Sequence, residues 1–547
     1  MSETSATASG ATGSAASLPA LTAGTLAAAA AACFVAQVGL SIPAVINGYI
    51  NQDLHTTSTQ LTWVSDAFLV PVTLLELSFG VLGDLFGRKR LLAIGALLVT
   101  VGGLLAFFTP SDGVGVLLTG QVIAGIGAAA IFPTSVAMLA AGTHTVKERA
   151  HAISIWAAAL TAGGFMSPVI GGLLARYSHS GGEFASWRYA FLAMAVLGAV
   201  SALLTFLAAQ NSSAPQGRSL DIPGQILVAV ALFALLYAVI EGADAGWGSG
   251  KVIGGFVLAV VFLVAFVAFE RRTERPLIQL DLFNNRMFTV SAIVTVIGMF
   301  AYLGTAYATS IRLSAIQEYS PLKTSIGFVL LNIMGVVLFP VSAKMLEKYN
   351  PGWVLAAGMA MIGAGDLVIA AIPATNFSIA AIAVPLLVIG AGFKTAVTAI
   401  TVVAVNSVPT DKAGMASGAT SMVRDFGLTL GPAIVGAIAL TNAANAIQSK
   451  IAGSPSLQAA VEKFNASPLP PEVKGAVNSG PLGANAIPEQ INPLKDVAFH
   501  ALSHAYSIGY LVCGISALLA AVIAAVLLGG RQHSDAFLET AEMSEPH

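Results

Sequence analysis

Asp66 and Glu76 stand ten residues apart in one apolar run, 60–83, and Lys394 stands well inside another, 377–406. Ionisable side chains at hydrocarbon depth are expensive to hold there and by default mark a pathway for ions or substrate. On a continuous helix, at about 100° and 1.5 Å per residue, the two acids are about 80° and about 15 Å apart, so both are expected to border one aqueous cavity. Carboxyls so placed can take up and release protons, with Glu76 the deeper. The bland reading of each is a solvated or hydrogen-bonded structural acid. An ammonium at the depth of Lys394 can bind an anionic substrate group or exchange a carboxylate partner. A permanent structural ion pair is the competing reading. Arg312 falls near the end of the run 287–311 and reads either as interfacial or as a guard at the mouth of a cavity. Asp366, in the run 352–373, is a weaker candidate.

A second cluster is Gly80-Val81-Leu82-Gly83-Asp84-Leu85-Phe86-Gly87-Arg88-Lys89-Arg90. Gly80, Gly83 and Gly87 permit close backbone approach, while Asp84 and Arg88 can pair with each other or with helix ends. Three basic residues and a carboxylate between two apolar segments also fit a topogenic turn. Gly163, Gly164, Ser167, Pro168, Gly171 and Gly172 repeat small residues at three- and four-residue spacing, which lets helices approach while proline bends the chain. Generic packing is the alternative there. His500 and His504 share a helix face, but no carboxylate or cysteine joins them at ligand spacing, so no metal site is expected. No catalytic constellation is visible, and an enzyme or a sensor is disfavoured.

The elements that must carry these groups are membrane helices. Of 547 residues 56% are hydrophobic and 10% charged, with mean hydropathy +0.82, whereas soluble domains carry about 25% charged residues. Apolar runs long enough to cross the bilayer fall at 22–50, 60–83, 91–108, 114–140, 151–175, 188–209, 222–243, 251–270, 287–311, 324–345, 352–373, 377–406, 414–441 and 498–529, fourteen in all. Arg88 to Arg90, Lys147, Arg149, Arg218, Arg271, Arg272, Arg275, Arg286, Lys344, Lys348, Lys412 and Arg531 then share one side, which places both termini in the cytoplasm. The loop 442–497 is long enough to be translocated regardless of its lysines. Net charge −2 with dispersed basic residues gives no footprint for nucleic acid. Cys33 and Cys513 sit inside apolar runs and are expected to pack, not to pair. All five tryptophans fall close to run ends, as an interfacial belt requires.

The chain also repeats at an offset near 264 residues. Ser167, Pro168 and Gly171 match Gly431, Pro432 and Val435, Gly163 matches Gly427, and Gly125 and Gly127 match Gly390 and Gly392, while Asp84 falls beside Glu347 and Lys348. Two parallel halves leave such a trace. The expected organisation is a disordered cytoplasmic tail 1–20, a six-helix half 21–210, an inserted helix pair with flanking loops 211–285, a second six-helix half 286–530 that includes the periplasmic loop 442–497, and a cytoplasmic tail 531–547.

With the glycine-aspartate-glycine-arginine-lysine loop, Trp63 to Asp66, Ser186-Trp187-Arg188, the Leu220-Asp221-Ile222-Pro223-Gly224 lead-in and Leu282-Phe283, the chain resembles the fourteen-helix drug:proton antiporter branch of the major facilitator superfamily. The resemblance implies an all-α integral membrane fold of the major facilitator type, two six-helix halves plus an inserted pair. It also implies a conformational latch of Gly80, Gly83, Asp84, Gly87, Arg88 and Lys89, with Asp84 bracing the start of the thirteenth helix when the cavity faces outward. The glycines and Pro168 of the fifth run resemble the antiporter-type motif. Three positions depart from the family: Leu85 replaces a basic residue, Gln121 stands where an arginine is usual in the cavity, and Gly39 where an aspartate is common. The proton-linked role therefore passes to Asp66 and Glu76, and the substrate cavity to Lys394, Gln121 and Arg312. The expected activity is export of amphipathic organic compounds by alternating access, with no cofactor and the proton gradient as energy source. Export or facilitated passage of an acidic metabolite is the alternative. Expected partners are a small-molecule substrate, protons and membrane lipids around a monomer in a bacterial inner membrane.

Overall fold

The computed structural model describes residues 21–529, apart from 112, 144, 176–184, 214–219, 274–275, 279 and 409–412. Both tails, Arg218, Arg275, Lys412 and Arg531, and the side chains of Lys147 and Glu347, lie outside the described residues.

Among the described residues thirteen helices are long and apolar enough to cross a membrane. The remaining span, the tenth, is split into Pro321–Val337 and Phe339–Lys348. Pro340 has no N–H to donate to the carbonyl four residues back, which breaks the ladder there. The same chemistry divides span 1 into Ala23–Ser41 and Pro43–Leu54, and span 2 into Ser58–Asp66 and Leu69–Phe86 with Pro71 in the first turn after the break. Spans 3 to 8 are Arg88–Phe107, Val114–Ala141, Val146–Leu174, Arg188–Ala208, Ile222–Ala245 and Gly250–Glu270. Span 9, Arg286–Ser310, runs into a π-helical turn at Ile311–Ile316. Spans 11 to 14 are Pro351–Ala370, Ile379–Asn406, Ala413–Ala452 and Lys495–Leu528.

The internal repeat reappears as matched packing. Span 1 lies against spans 4, 5 and 6, and span 9 against 12, 13 and 14; span 3 packs on 4 and 6, and span 11 on 12 and 14. Single residues keep the correspondence. A Cβ at Gly163 would come within 2.7 Å of the Phe34 carbonyl, and one at Gly427 within 2.7 Å of the Val296 carbonyl. Gly125 likewise meets Phe68 where Gly390 meets Leu331. Two six-helix halves are thus built on one plan, and the inserted spans 7 and 8 pack on each other and reach the halves through spans 2 and 13.

Two sequence expectations change. The segment 442–497 is not an open loop: span 13 continues to Ala452, and Pro455–Ala466, Pro471–Asn478 and Pro481–Ala486 follow as short helices, each started by a proline that supplies no unsatisfied N–H. The tryptophan belt is reduced to Trp247 and Trp353, which are exposed. Trp187 is fully buried, its Nε1 donating to Asp53 Oδ2 at 2.9 Å, and Trp156 donates to Ser135 Oγ at 2.9 Å.

Candidate functional site

One cavity of about 1110 Å³ lies between the halves. Its floor, far from the Arg88–Arg90 end, is sealed by polar contacts across the interface. Asn47 Nδ2 donates to Ser310 Oγ at 3.0 Å, and the Gly48 N–H donates to Ser314 Oγ at 3.1 Å. Thr62 Oγ1 and the Tyr307 hydroxyl are 2.9 Å apart, and Gly172 of span 5 lies against Pro321 and Ser325 of span 10. Toward the Arg88–Arg90 end the walls are Gly80 and Asp84 of span 2, Trp156 of span 5, and Gly418 and Ser421 of span 13, with Asp221 and Leu277 from the flanking linkers. The cavity therefore opens on the basic end and is closed at the other.

Glu76 lines it, and the structure supplies partners that sequence reasoning missed. Arg424 and Asp425 of span 13 face the same space. The Glu76 and Asp425 carboxyls face one another across the halves, and Arg424 Nε donates to Asp425 Oδ1 at 2.8 Å. Two facing carboxyls can share a hydrogen bond only when one of them carries a proton, which makes this pair the candidate proton site of the cavity. Adjacent charges inside the run 414–441 were the available signal; their pairing with span 2 was not, because it depends on how the halves meet.

Asp66 is placed elsewhere. It ends the first segment of span 2, is fully buried, has no hydrogen-bond partner on either carboxyl oxygen among the described residues, and does not line the cavity. The break at Ala67 and Phe68 separates it from Glu76, so the continuous-helix geometry does not apply. Gln121 is also off the cavity, buried in span 4 with Nε2 donating to the Val64 carbonyl at 3.4 Å. Arg312 is buried in the π-helical turn and donates to the carbonyls of Ile372 and Pro373 at 2.6 and 2.9 Å. There it caps the end of span 11, where a cation suits the helix dipole, and it does not line the cavity. Gly39 leaves no room for an acid, since a Cβ there would sit 2.8 Å from the Phe68 ring. Asp366, also fully buried, accepts from Thr305 Oγ1 at 2.6 Å.

In the glycine loop, Arg88 donates to Asp84 through Nε at 2.9 Å and Nη2 at 2.6 Å. Gly87 has φ +101°, and a Cβ at Gly83 would lie 2.6 Å from Thr134 Cγ2. The Arg88 N–H donates to Ser212 and the Lys89 N–H to Asn211 Oδ1, docking the loop on the segment after span 6. The expected brace to the start of span 13 involves residues outside those described. In span 5, Ser167 Oγ donates to the Val38 carbonyl at 2.9 Å, Gly171 meets Val45, and Gly164 and Pro168 line the cavity. One face of this helix thus packs within its half and the other meets span 10.

Lys394, midway along span 12, lines the cavity beside Phe393, whose ring stacks on Tyr302 with centroids 3.6 Å apart and planes 9° from parallel. No group of three or more metal-ligating side chains exists among the described residues.

The chain matches the model of the Major Facilitator Superfamily over residues 27–432. It is 32% identical over 378 residues to the multidrug resistance protein Stp of Mycobacterium tuberculosis (strain CDC 1551 / Oshkosh), covering 69% of this chain and 68% of that one. It is 25% identical to the tetracenomycin C resistance and export protein of Streptomyces glaucescens, over 88% and 87% of the two chains. Among solved structures it is similar to a bacterial homologue of the human lysosomal transporter Spinster in an inward-facing and unoccupied conformation, with TM-score 0.65, 15% identity, and coverage of 94% of this chain and 97% of that one.

Proposed function

The chain belongs to the major facilitator superfamily, and we propose that it is a proton-driven exporter of amphipathic organic compounds. The observation that carries this reading is a cavity between two repeated halves, walled largely by apolar and aromatic side chains and crossed by one carboxyl–carboxyl contact. A wide apolar chamber with few polar groups takes amphipathic ligands of varied shape, because burial of apolar surface is not directional. The relatives named for multidrug resistance and for antibiotic export support the same substrate class.

In this reading the multi-pass protein sits in the inner membrane of a bacterium with its basic end and both termini in the cytoplasm, so the present state is inward-open. Substrate enters from the cytoplasm or inner leaflet. The Glu76–Asp425 contact lies where spans 2 and 13 must approach and part as the halves rock. Loss of the shared proton to the cytoplasm leaves two facing carboxylates with only Arg424 between them. Reprotonation from outside restores the contact, and this alternation ties the direction of the gradient to the conformational cycle. No cofactor is required, and the unit is a monomer.

The test is transport in proteoliposomes with an imposed pH gradient, using a panel of cationic, neutral and anionic fluorescent amphiphiles. Gradient-dependent accumulation of several compounds, abolished by a protonophore, is expected. Equal fluxes with and without the gradient would make the protein a facilitator and remove the proton from its mechanism.

A further inference from the structure

We propose that Gln37 and Asn332 form a subsite for the edge of a neutral amide, a carbonyl and an N–H side by side as in a primary carboxamide or a lactam. This substrate class rests on the export reading for its purpose, whereas binding at the pair is measured without transport.

The pair is built over one glycine where the halves meet. Gln37 belongs to span 1, Gly164 to span 5 and Asn332 to span 10, and all three line the cavity. Gly163 lets span 1 lie close on span 5, since a Cβ there would stand 2.9 Å from Gln37 Cβ. Asn332 Nδ2 donates to the Phe328 carbonyl one turn back at 2.9 Å, which fixes the orientation of its amide and leaves Oδ1 as an acceptor. A Cβ at Gly164 would have Asn332 Oδ1 and Gln37 Nε2 as its nearest neighbours, each at 3.6 Å. A donor from one half and an acceptor from the other therefore flank one open point of the cavity wall.

The protein satisfies neither group: among the described residues Gln37 Nε2 donates to no acceptor and Asn332 Oδ1 accepts from no donor. A ligand that gives its carbonyl to Gln37 and its N–H to Asn332 satisfies both at once. A ketone of the same shape offers the carbonyl alone and leaves the Asn332 oxygen unpaired. Leu40, Leu160 and Phe328 stand one turn from Gln37, Gly164 and Asn332 and also line the cavity, so the apolar body of the ligand has a wall on every side of its amide. The pair carries no charge, and the Glu76 and Asp425 carboxyls lie on spans 2 and 13. Neutrality and an amide edge are thus what this level of the chamber selects.

The experiment uses the full chain in lipid nanodiscs with two neutral radiolabelled probes of one shape, 2-naphthamide and 2-acetylnaphthalene, with empty nanodiscs giving the lipid background. Wild-type protein is expected to bind the amide about tenfold more tightly than the ketone. Asn332→Leu should weaken the amide alone and abolish that preference. Gln37→Met should weaken both probes about three- to tenfold, because both lose the donor to their carbonyl. Gly164→Ala adds a methyl in ordinary contact with both amides, so it should fill the point between them and remove the preference without lowering the unfolding temperature. Thermal unfolding of each variant separates loss of a site from loss of the fold. The proposal is overturned if wild-type protein binds amide and ketone equally, or binds neither saturably. It is overturned as well if Asn332→Leu keeps the preference and lowers only the unfolding temperature, which would make the pair a structural contact between the halves. Gradient-driven export of other amphiphiles by a protein without amide preference would sink the subsite and leave the exporter. An Asn332-dependent amide preference with no gradient-driven flux of any compound would do the reverse.

Discussion

Proton coupling, at the scale of single residues, reduces to whether one of two facing carboxyls can change its proton count. A glutamine or asparagine keeps the shape and hydrogen-bonding reach of the acid but cannot release the proton. Glu76→Gln and Asp425→Asn are each expected to cut gradient-driven flux by at least tenfold while leaving gradient-free exchange of substrate across the membrane close to wild type. Asp66→Asn should do less, because Asp66 does not face the cavity. Gradient-driven flux surviving in the Glu76→Gln/Asp425→Asn double variant would move energy entry to another group. Arg424 is the exposed weakness of the cluster: removing one partner of a buried ionic group leaves the rest uncompensated, so Arg424→Gln should lower stability as well as flux. Glu76 was legible as a charge in an apolar run. Its partners were not, since a helix-depth argument ranks single residues and says nothing of which span lies opposite.

Elements decide how much of a motif is conformational need and how much is contact. At the end of span 2 the three glycines differ: Gly80 and Gly83 lie within the helix and Gly87 follows it. At Gly87 the backbone lies at positive φ outside the left-handed helical well, where an L side chain costs of order 1–3 kcal/mol, and at Gly83 a methyl would drive into Thr134, but at Gly80 it would rest at an ordinary 3.5 Å from Pro133. Alanine at Gly87 and at Gly83 is therefore expected to lower the unfolding temperature of the purified protein by several degrees, whereas Gly80→Ala should be near neutral in this state. If Gly80→Ala nonetheless stops transport, span 2 comes closer to span 4 in another conformation of the cycle. Equal losses of stability at all three positions would show that the loop packs more tightly than it does here. Apolar runs gave the number of spans and their approximate limits, because burial in lipid demands them. The breaks before Pro43, after Asp66 and before Pro340 were written in prolines, but a proline inside a transmembrane run signals only a bend until the neighbouring helices fix where the ladder opens. The π-helical turn had no sequence mark: its freed carbonyls at Ala315 and Ile316 are taken by Asn485, 170 and 169 residues away.

At the scale of the whole molecule, the repeat of spans 1–6 in spans 9–14 means that opening one end and closing the other are the same motion of two near-rigid bodies. The pairs Asn47–Ser310 and Gly48–Ser314, and the close approach of Gly172 to Ser325, must all separate before the cavity can face the other way. A covalent tie across any of them should arrest the cycle in the present state. Gly172 and Ser325 suit this, since an ideal Cβ at Gly172 falls 3.0 Å from Ser325 Cβ, and a disulfide spans Cβ atoms about 3.5–4.5 Å apart, which asks the two helices to separate by about half an ångström. The native Cys33 and Cys513 are both buried and should not compete for oxidant. The Gly172→Cys/Ser325→Cys protein is expected to transport when reduced, to lose flux on oxidation, and to recover it with dithiothreitol, while binding of substrate from the basic side persists throughout. Undiminished flux in the fully cross-linked protein would mean that spans 5 and 10 do not part during transport, and that alternating access in this chain uses a hinge within a half instead of the interface between halves.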